Sequence, residues 1–258
     1  MSMSLHSVLL EREGFAHAFF TRAGGVSQPP YDTLNFSTAT GDDPEAVRTN
    51  WRRAAEHLGV DPSRIYVLKQ VHGRSHRVVR AQDAQPDLVN TPGDITVSRS
   101  AGVACGVRTA DCPAILLADR KSGAVAAIHS GWRGTVRNAA RAGVEALRGI
   151  AGGAADIIAA VGPHIESCCF EVGDDVAAEL AAASALGDAA IDDSRSKPHV
   201  KLRAILAEQL HAAGLDPDAI DHVRGCTYCR PDLFHSYRRN GALGGRLLAA
   251  IVVGSPEH

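Results

Sequence analysis

Short runs of apolar residues, separated by polar or glycine-containing turns, recur along most of the chain. Continuous apolar runs are typical of strands covered on both faces, because a strand with one solvent face alternates apolar and polar positions. We predict strands over 65–71, 77–80, 94–97, 102–107, 114–118, 124–129, 156–161 and 247–253. The sheets that these strands form should therefore be enclosed by other layers.

A second spacing, with apolar residues three or four apart, predicts helices between several of these strands. The clearest helix begins at Asp43-Pro44, an N-cap followed by a first-turn proline, and ends at Gly59. Further helices are predicted over 135–148, 174–185 and 200–213, with turn-rich loops over 23–33 and 195–199. The alternation predicts one layered α/β domain over residues 1–258, with buried mixed sheets covered by helices.

Composition excludes several classes of protein. The 258 residues are 45% hydrophobic and 22% charged, as in an ordinary globular protein. A net charge of −2 predicts no nucleic-acid partner and no attraction to an anionic membrane. The N-terminus lacks the basic region of a secretory signal, and no apolar run is long enough to span a bilayer. We expect a cytoplasmic protein.

Three segments each place a potential metal ligand beside small residues: His72 in KQVHG, Cys112 in TADCP and His129 in HSGWRG. Two imidazoles and one thiolate suit zinc, and three protein ligands leave a coordination position open, as in catalytic sites. Their separation along the chain fits no zinc-finger pattern, so the fold must bring them together. All three stand at predicted strand ends, where binding sites commonly form.

The other cysteines give weaker signals. Six cysteines in 258 residues are too sparse for a disulfide scaffold and fit a reducing compartment. Cys226-x-x-Cys229 is half of a zinc ribbon without a second pair, and the adjacent Cys168 and Cys169 cannot both point into one site from a strand. We expect these thiols to pack as small buried groups. A cluster of His164 with Cys168 and Cys169 is a rival metal site.

The segments KQVHG, RTADCPAILLAD, AAIHSGWRGT, VGPHIESCCFEVG and CTYCRPDLFHSYRRNG, in this order, resemble the laccase-domain (YfiH-like) family over roughly residues 19–253. Members of that family are described as polyphenol oxidases and as zinc-dependent purine nucleoside phosphorylases. The resemblance implies an α/β/β/α sandwich that has been compared with cysteine hydrolases. It also implies zinc as the cofactor, phosphate and purine nucleosides (adenosine, inosine and S-methyl-5′-thioadenosine) as substrates, and deamination of adenosine as a further reaction.

Two residues flank the predicted ligands. Asp111 and Ser130 are candidates to anchor the imidazole N–H groups, as carboxylates and hydroxyls often do around a metal. Asp111 is also a candidate catalytic group, together with Cys112 and His129.

Further residues are candidates for binding the substrate. The turn Gly131–Gly134 precedes a predicted helix, so its backbone N–H groups and the positive end of the helix dipole suit phosphate, with Arg133 as an additional contact. Asn35 resembles the family's N-terminal active-site asparagine. Arg48 and Gln70, from similarly placed segments, are lesser candidates.

Three other functions stay open at this point. A copper polyphenol oxidase would need more histidine and thioether ligands, and the chain has two methionines, although a His2Cys set binds copper readily. A hydrolase would use Cys112 as nucleophile and His129 as base, which leaves His72 without a role. The third is a non-catalytic binding or cell-wall quality-control factor. The preferred nucleoside and the oligomeric state are left open.

Overall fold

The computed structural model describes residues 2–152 and 154–254. Its strands are β1 (Ser4–Leu5), β2 (His17–Phe20), β3 (Ile65–Tyr66), β4 (His76–Val78), β5 (Ile95–Ser98), β6 (Ala104–Thr109), β7 (Ala114–Asp119), β8 (Val125–His129), β9 (Ile157–Val161), β10 (Ile191–Asp192), β11 (His199–Val200), β12 (Ile220–His222) and β13 (Leu247–Val252). Its α-helices are α1 (Val8–Arg12), α2 (Pro44–Leu58), α3 (Gln85–Val89), α4 (Trp132–Val136), α5 (Ala139–Ala151), α6 (Asp174–Ala182), α7 (Leu202–Ala212) and α8 (Tyr237–Asn240).

Two mixed sheets form the centre of the fold. The first has five strands in the order β1-β2-β13-β6-β3, and the second has six in the order β12-β9-β7-β8-β5-β4. Each contains antiparallel pairs and at least one parallel pair, β3 with β6 in the first and β4 with β5 in the second. A separate hairpin pairs β10 with β11.

The sheets pack face to face, and helices cover their outer faces. Side chains from β2, β6 and β13 share one apolar core with side chains from β7, β8 and β9, so this core lies between the sheets. The other face of the six-stranded sheet packs against α5 and α7, and that of the five-stranded sheet against α2. The predicted α/β class, with buried mixed sheets covered by helices, is confirmed.

Strand alternation in β8 determines where the site forms. Val125 and Ala127 belong to the core between the sheets, whereas Ala126 and Ile128 face the helices. His129 continues the first row, because side chains two residues apart point to the same face of a strand. Its imidazole is therefore directed into the space between the sheets at one end of the strands.

The predicted elements agree with the structure best where the signals are strongest. Helix α2 begins after an Asp43 side-chain cap and ends at Gly59 in the left-handed conformation. The predicted helix over 135–148 is wrong in its bounds, because Asn138 adopts a left-handed φ of 56° and separates α4 from α5. Its side chain caps the new helix by accepting from Arg141 N. No helix in the described ranges has the length and apolar character needed to cross a bilayer.

The expectation about the adjacent cysteines is also wrong. Cys168 and Cys169 lie in a turn, where the alternation of a strand does not separate neighbouring side chains. The expected burial fails as well, since Cys168 and Cys229 are exposed and Cys169 and Cys226 only partly buried.

Candidate metal and substrate site

The structure brings His72, Cys112 and His129 together. One potential ligand atom from each lies within 4.8 Å of the other two, and the two imidazole rings are 4.9 Å apart between centroids, at 71°. His72 comes from the loop after β3, Cys112 from the bend between β6 and β7, and His129 from the last position of β8. We refer to these three residues as the His2Cys set.

A carboxylate outside the predicted site holds two members of this set. The fully buried Asp94 accepts a 2.8 Å hydrogen bond from Nδ1 of His129, and its Oδ1 accepts a second from the backbone N of His72 at 2.9 Å. Its Oδ2 accepts from Gly73 N at 2.7 Å. Although burial opposes this, the bonds from His129 and Gly73 lower the pKa of Asp94. Nδ1 of His129 is thereby engaged, which leaves Nε2 for a ligand.

Asp111 and Ser130, the predicted imidazole anchors, have other partners, so that prediction is wrong. Asp111 accepts from the hydroxyl of Thr227 at 2.6 Å, the hydroxyl of Ser236 at 3.0 Å and the backbone N of Arg238 at 2.6 Å. The Ser130 hydroxyl lies 3.1 Å from that of Thr135. Asp111 therefore joins the segment carrying Cys112 to the loop before α8, and these bonds favour a positioning role over the predicted catalytic one.

The backbone around the set leaves little space. A side chain at Gly131 would place its Cβ 2.7 Å from Cys112 Sγ and 3.1 Å from His72 Cδ2, so any other residue there would displace the thiol or the imidazole. His72 and Asp111 have left-handed φ values of 58° and 85°. Such values are uncommon for residues other than glycine and are found at functional sites.

Charge coupling within the set favours an ionised cysteine. Burial alone raises the pKa of the Cys112 thiol, but the imidazoles of His129 and His72 outweigh this and lower it to about 6. Burial opposes protonation of His129, yet Cys112 and Asp94 together raise its pKa to about 9. A thiolate is the form of cysteine that binds a metal or attacks an electrophile.

The set faces a cavity of about 640 Å³, a volume typical of small-molecule sites. Five cationic side chains line it: Lys69, Arg108, Arg133, Arg238 and Arg246. Within residues 2–152 and 154–254, none of the five forms an ion pair with a carboxylate. Burial lowers the pKa of Arg108 and of Arg246. Half-buried guanidinium groups with no carboxylate partner among the described residues make this cavity attractive to an anion.

Asn35 does not line this cavity, which argues against the predicted contact with substrate. It is fully buried, its Nδ2 donates to Ser37 O and Asp42 Oδ2, and its Oδ1 accepts from the backbone N of Ser37 and of Arg246. Since Ser37 and Arg246 line the cavity, these bonds fix the backbone of two cavity residues.

Gln70 and Arg48 occupy different places. Gln70 lines the cavity, but its side chain donates to Arg108 O at 2.7 Å and accepts from Arg108 N at 2.8 Å, so it fixes the backbone that carries a cavity arginine. Arg48 lies on α2, pairs with Glu45 and lines a second cavity, of about 730 Å³. The predicted contact of Arg48 with a substrate at the His2Cys set is therefore not supported.

Arg133 lies at the rim of the cavity, with its guanidinium 4.3 Å above the ring of Trp132. The helix that begins after Gly131 is α4, which has only five residues. The helix-dipole argument for phosphate at this turn is weaker than predicted, because the long helix begins only at Ala139. The arginine side chains are the better anion-binding groups.

Sequence reasoning missed Asp94, Arg108 and Arg246. Arg108 stands four residues before Cys112 in the RTADC motif, and Asp94 begins a predicted strand. Their roles depend on pairing: in the register of β5 with β8, Ile95 faces Ile128, so Asp94 lies opposite His129. β13 likewise brings Leu248 opposite Arg108, close to Arg246.

Relatives with assigned names support an enzymatic role. A purine nucleoside phosphorylase of Streptomyces griseus is 38% identical over 90% of this chain and 92% of its own length. One of Streptomyces coelicolor is 39% identical over 89% and 92%, and one of Deinococcus radiodurans 39% over 93% and 89%. Sequences this similar over nearly their whole lengths support a nucleoside-processing enzyme.

Solved structures show the same fold. The hypothetical protein YfiH of Bacillus licheniformis matches with a TM-score of 0.89 at 26% identity, covering 98% of this chain and 97% of that one. YlmD of Geobacillus stearothermophilus matches with 0.86 at 32% identity, covering 93% and 92%. The family model described as multi-copper polyphenol oxidoreductase laccase matches residues 16–254. By its sequence motifs, its fold and this match, the chain belongs to that laccase-domain family.

Proposed function

We propose that the protein is a zinc-dependent purine nucleoside phosphorylase, acting on adenosine, inosine and S-methyl-5′-thioadenosine, with deamination of adenosine as a second reaction. One observation carries this proposal: the His2Cys set faces a cavity lined by five cations, and none of these pairs with a carboxylate in the part of the chain that the structure describes. The names of the relatives point to the same reaction.

The residues fit a metal ion. His72, Cys112 and His129 supply the nitrogen and sulfur ligands that zinc prefers, and Asp94 orients one imidazole from behind. Gly131 leaves beside Cys112 and His72 the space that a side chain would fill. Zinc bound there would act as a Lewis acid toward a reacting oxygen.

The cationic groups that line the cavity can bind the second substrate, phosphate. In phosphorolysis a phosphate oxygen forms a bond to ribose C1′ while the bond from C1′ to the purine nitrogen breaks, and the base leaves with a proton. Arg108, Arg133 and Arg246 can hold the phosphate through charge-assisted hydrogen bonds that fix its orientation. Phe170 and Tyr237 line the same cavity and offer aromatic surfaces for the purine.

Product analysis tests this proposal. Adenosine incubated with enzyme and phosphate should give adenine and ribose 1-phosphate, in amounts that depend on the phosphate concentration. Without phosphate, only inosine from deamination should form. A copper oxidase would instead give no nucleoside products and would take up oxygen with phenols when Cu(II) is added. Unchanged adenosine under all conditions would contradict the proposal.

A second candidate rests on a different observation. Asp94, His129 and Cys112 form a carboxylate–imidazole–thiol arrangement in which the imidazoles of His129 and His72 lower the pKa of Cys112 to about 6 against the effect of burial, as in enzymes with a cysteine nucleophile. Cys112→Ser separates the two candidates. A ligand role predicts that metal and nucleoside activity are lost together, since oxygen is the poorer zinc ligand. A nucleophile role predicts lost activity with the metal retained.

A further inference from the structure

Four cysteines that the proposed reaction does not use lie together on another part of the molecule. The sulfur atoms of Cys168, Cys169, Cys226 and Cys229 are all within 4.8 Å of one another. Cys229 Sγ is 3.6 Å from Cys168 Sγ and 3.2 Å from Cys169 Sγ. We refer to these residues as the four-cysteine cluster.

Two separate turns build this cluster. Cys168 and Cys169 occupy the turn after β9, whereas Cys226 immediately precedes and Cys229 ends the turn after β12. A bridge between His164 and Cys226 brings the two segments side by side. Residues from turns can direct neighbouring side chains to one point, which a strand cannot do.

The sulfur spacing suits a tetrahedral metal better than it suits disulfides. Zinc–sulfur bonds of about 2.3 Å place the sulfur atoms of a tetrahedral site roughly 3.8 Å apart. The two separations at Cys229 are close to this value, and far longer than the roughly 2.05 Å of a disulfide bond.

We propose that the four-cysteine cluster is a second metal site, in which all four thiolates bind zinc as a closed, structural centre. Four protein ligands leave no open position, in contrast to the His2Cys set. The assignment is independent of the proposed function, because none of its ligands belongs to the reacting site.

The contacts of the cluster indicate what such a centre would stabilise. Thr227, between the two cysteines of the second turn, donates to Asp111 Oδ1 at 2.6 Å, beside Cys112. Arg238, which lines the cavity, donates to Glu171 O at 3.0 Å, just after the first turn. A metal that joins the two turns would therefore hold one wall of the cavity in place.

Metal counting tests the proposal. Full-length protein, purified under reducing conditions in zinc-containing medium, should hold two zinc ions per chain by elemental analysis. A Cys226→Ser/Cys229→Ser variant should hold one, and a His72→Ala/His129→Ala variant should also hold one. Cys105→Ala, which removes a buried cysteine outside both sets, should keep two.

Cobalt substitution locates the second ion even if the cysteine variant fails to fold. In the His72→Ala/His129→Ala variant, bound Co(II) should show the intense sulfur-to-metal charge-transfer bands and visible ligand-field bands of a tetrathiolate site. A metal-free His72→Ala/His129→Ala variant, or disulfides between these cysteines in anaerobically prepared wild-type protein, would overturn the proposal. Loss of zinc from the His2Cys set alone would count against the proposed function and leave the four-cysteine site standing.

Discussion

The carboxylate of Asp94 binds the ring of His129 and, at the same time, the backbone of His72. One buried side chain thus fixes the distance between two segments that are far apart in sequence. Because His129 lies opposite Asp94 in the pairing of β8 with β5, the sheet itself sets this geometry. The third member of the His2Cys set, Cys112, enters from the bend before β7, next to the end of β8.

Replacing the carboxylate should weaken metal binding without removing a ligand. We expect Asp94→Asn to lower zinc affinity at the His2Cys set by roughly 10- to 100-fold, the usual effect of losing such a hydrogen bond to a ligand. Zinc competition with a chromophoric chelator measures the change. Asp87→Asn, at an exposed position on α3, is the matched control and should bind zinc as the wild type does. Equal affinities of the two variants would refute the role of Asp94.

A methyl group at Gly131 should disturb the same set by crowding. In Gly131→Ala the new Cβ meets Cys112 Sγ at 2.7 Å, so we expect the thiolate to move and zinc occupancy to fall. Elemental analysis of purified protein measures this. Gly149→Ala in α5 has nothing within 4 Å of the new Cβ and should retain zinc, with helix stability raised by up to about 1 kcal/mol. Full occupancy in Gly131→Ala would show that the set tolerates the displacement.

Loss of Arg133 should affect phosphate more than nucleoside. Its side chain is exposed at the cavity rim, so we expect Arg133→Ala to raise the KM for phosphate about fivefold, equivalent to roughly 1 kcal/mol for an exposed charge contact. Phosphate-independent deamination should change less, because water needs no anion contact. Arg48→Ala removes a guanidinium from the other cavity and should leave the phosphate requirement unchanged. A similar change in both activities would place Arg133 outside the phosphate site.

A buried histidine should make the fold sensitive to acid. Burial and the charge of Arg22 lower the pKa of His235 to about 3, whereas an unfolded chain takes up that proton near pH 6.5. The stabilisation from the neutral ring is therefore present above about pH 6.5 and is lost as pH falls toward 3. Between pH 7 and pH 5 the free energy of unfolding falls by about 2 kcal/mol through this group.

We therefore expect His235→Phe to lose less unfolding free energy between pH 7 and pH 5 than the wild type. Urea denaturation of metal-free protein at the two pH values measures this. His76→Gln, which removes an exposed histidine, should keep the wild-type dependence. An unchanged pH dependence in His235→Phe would show that other groups cause the acid sensitivity.

Sequence patterns identified the layers of this fold well. The apolar runs 114–118 and 124–129 are strands β7 and β8. A strand buried on both faces needs apolar side chains at successive positions, so the sequence shows it as a continuous apolar run. The pattern failed at short or edge elements. β1 and β12 have two and three residues, too few for a periodicity, and Asn138 interrupts a helix whose apolar spacing continues past it.

The residues of the site likewise differ in whether the sequence alone predicts them. His72, Cys112 and His129 each stand in a distinctive local motif, so their candidacy was visible without a structure. Asp94 and Arg246 owe their positions to strand register, which single-sequence patterns do not contain. The four-cysteine cluster is not evident from the sequence, because Cys226-x-x-Cys229 has no second Cys-x-x-Cys pair and the adjacent Cys168 and Cys169 converge only because they lie in a turn.

The source of the oxygen bonded to ribose C1′ in the product, phosphate or water, tests the proposed phosphorolysis most directly. Adenosine and unlabelled phosphate are incubated with the zinc-loaded enzyme in ¹⁸O-labelled water, and the sugar product is analysed at once by mass spectrometry. If phosphate attacks C1′ in the cavity beside the His2Cys set, ribose 1-phosphate should form without ¹⁸O, and a His72→Ala/His129→Ala variant should form none. Free ribose carrying ¹⁸O would show that water attacks C1′, and would contradict the proposed phosphorolysis.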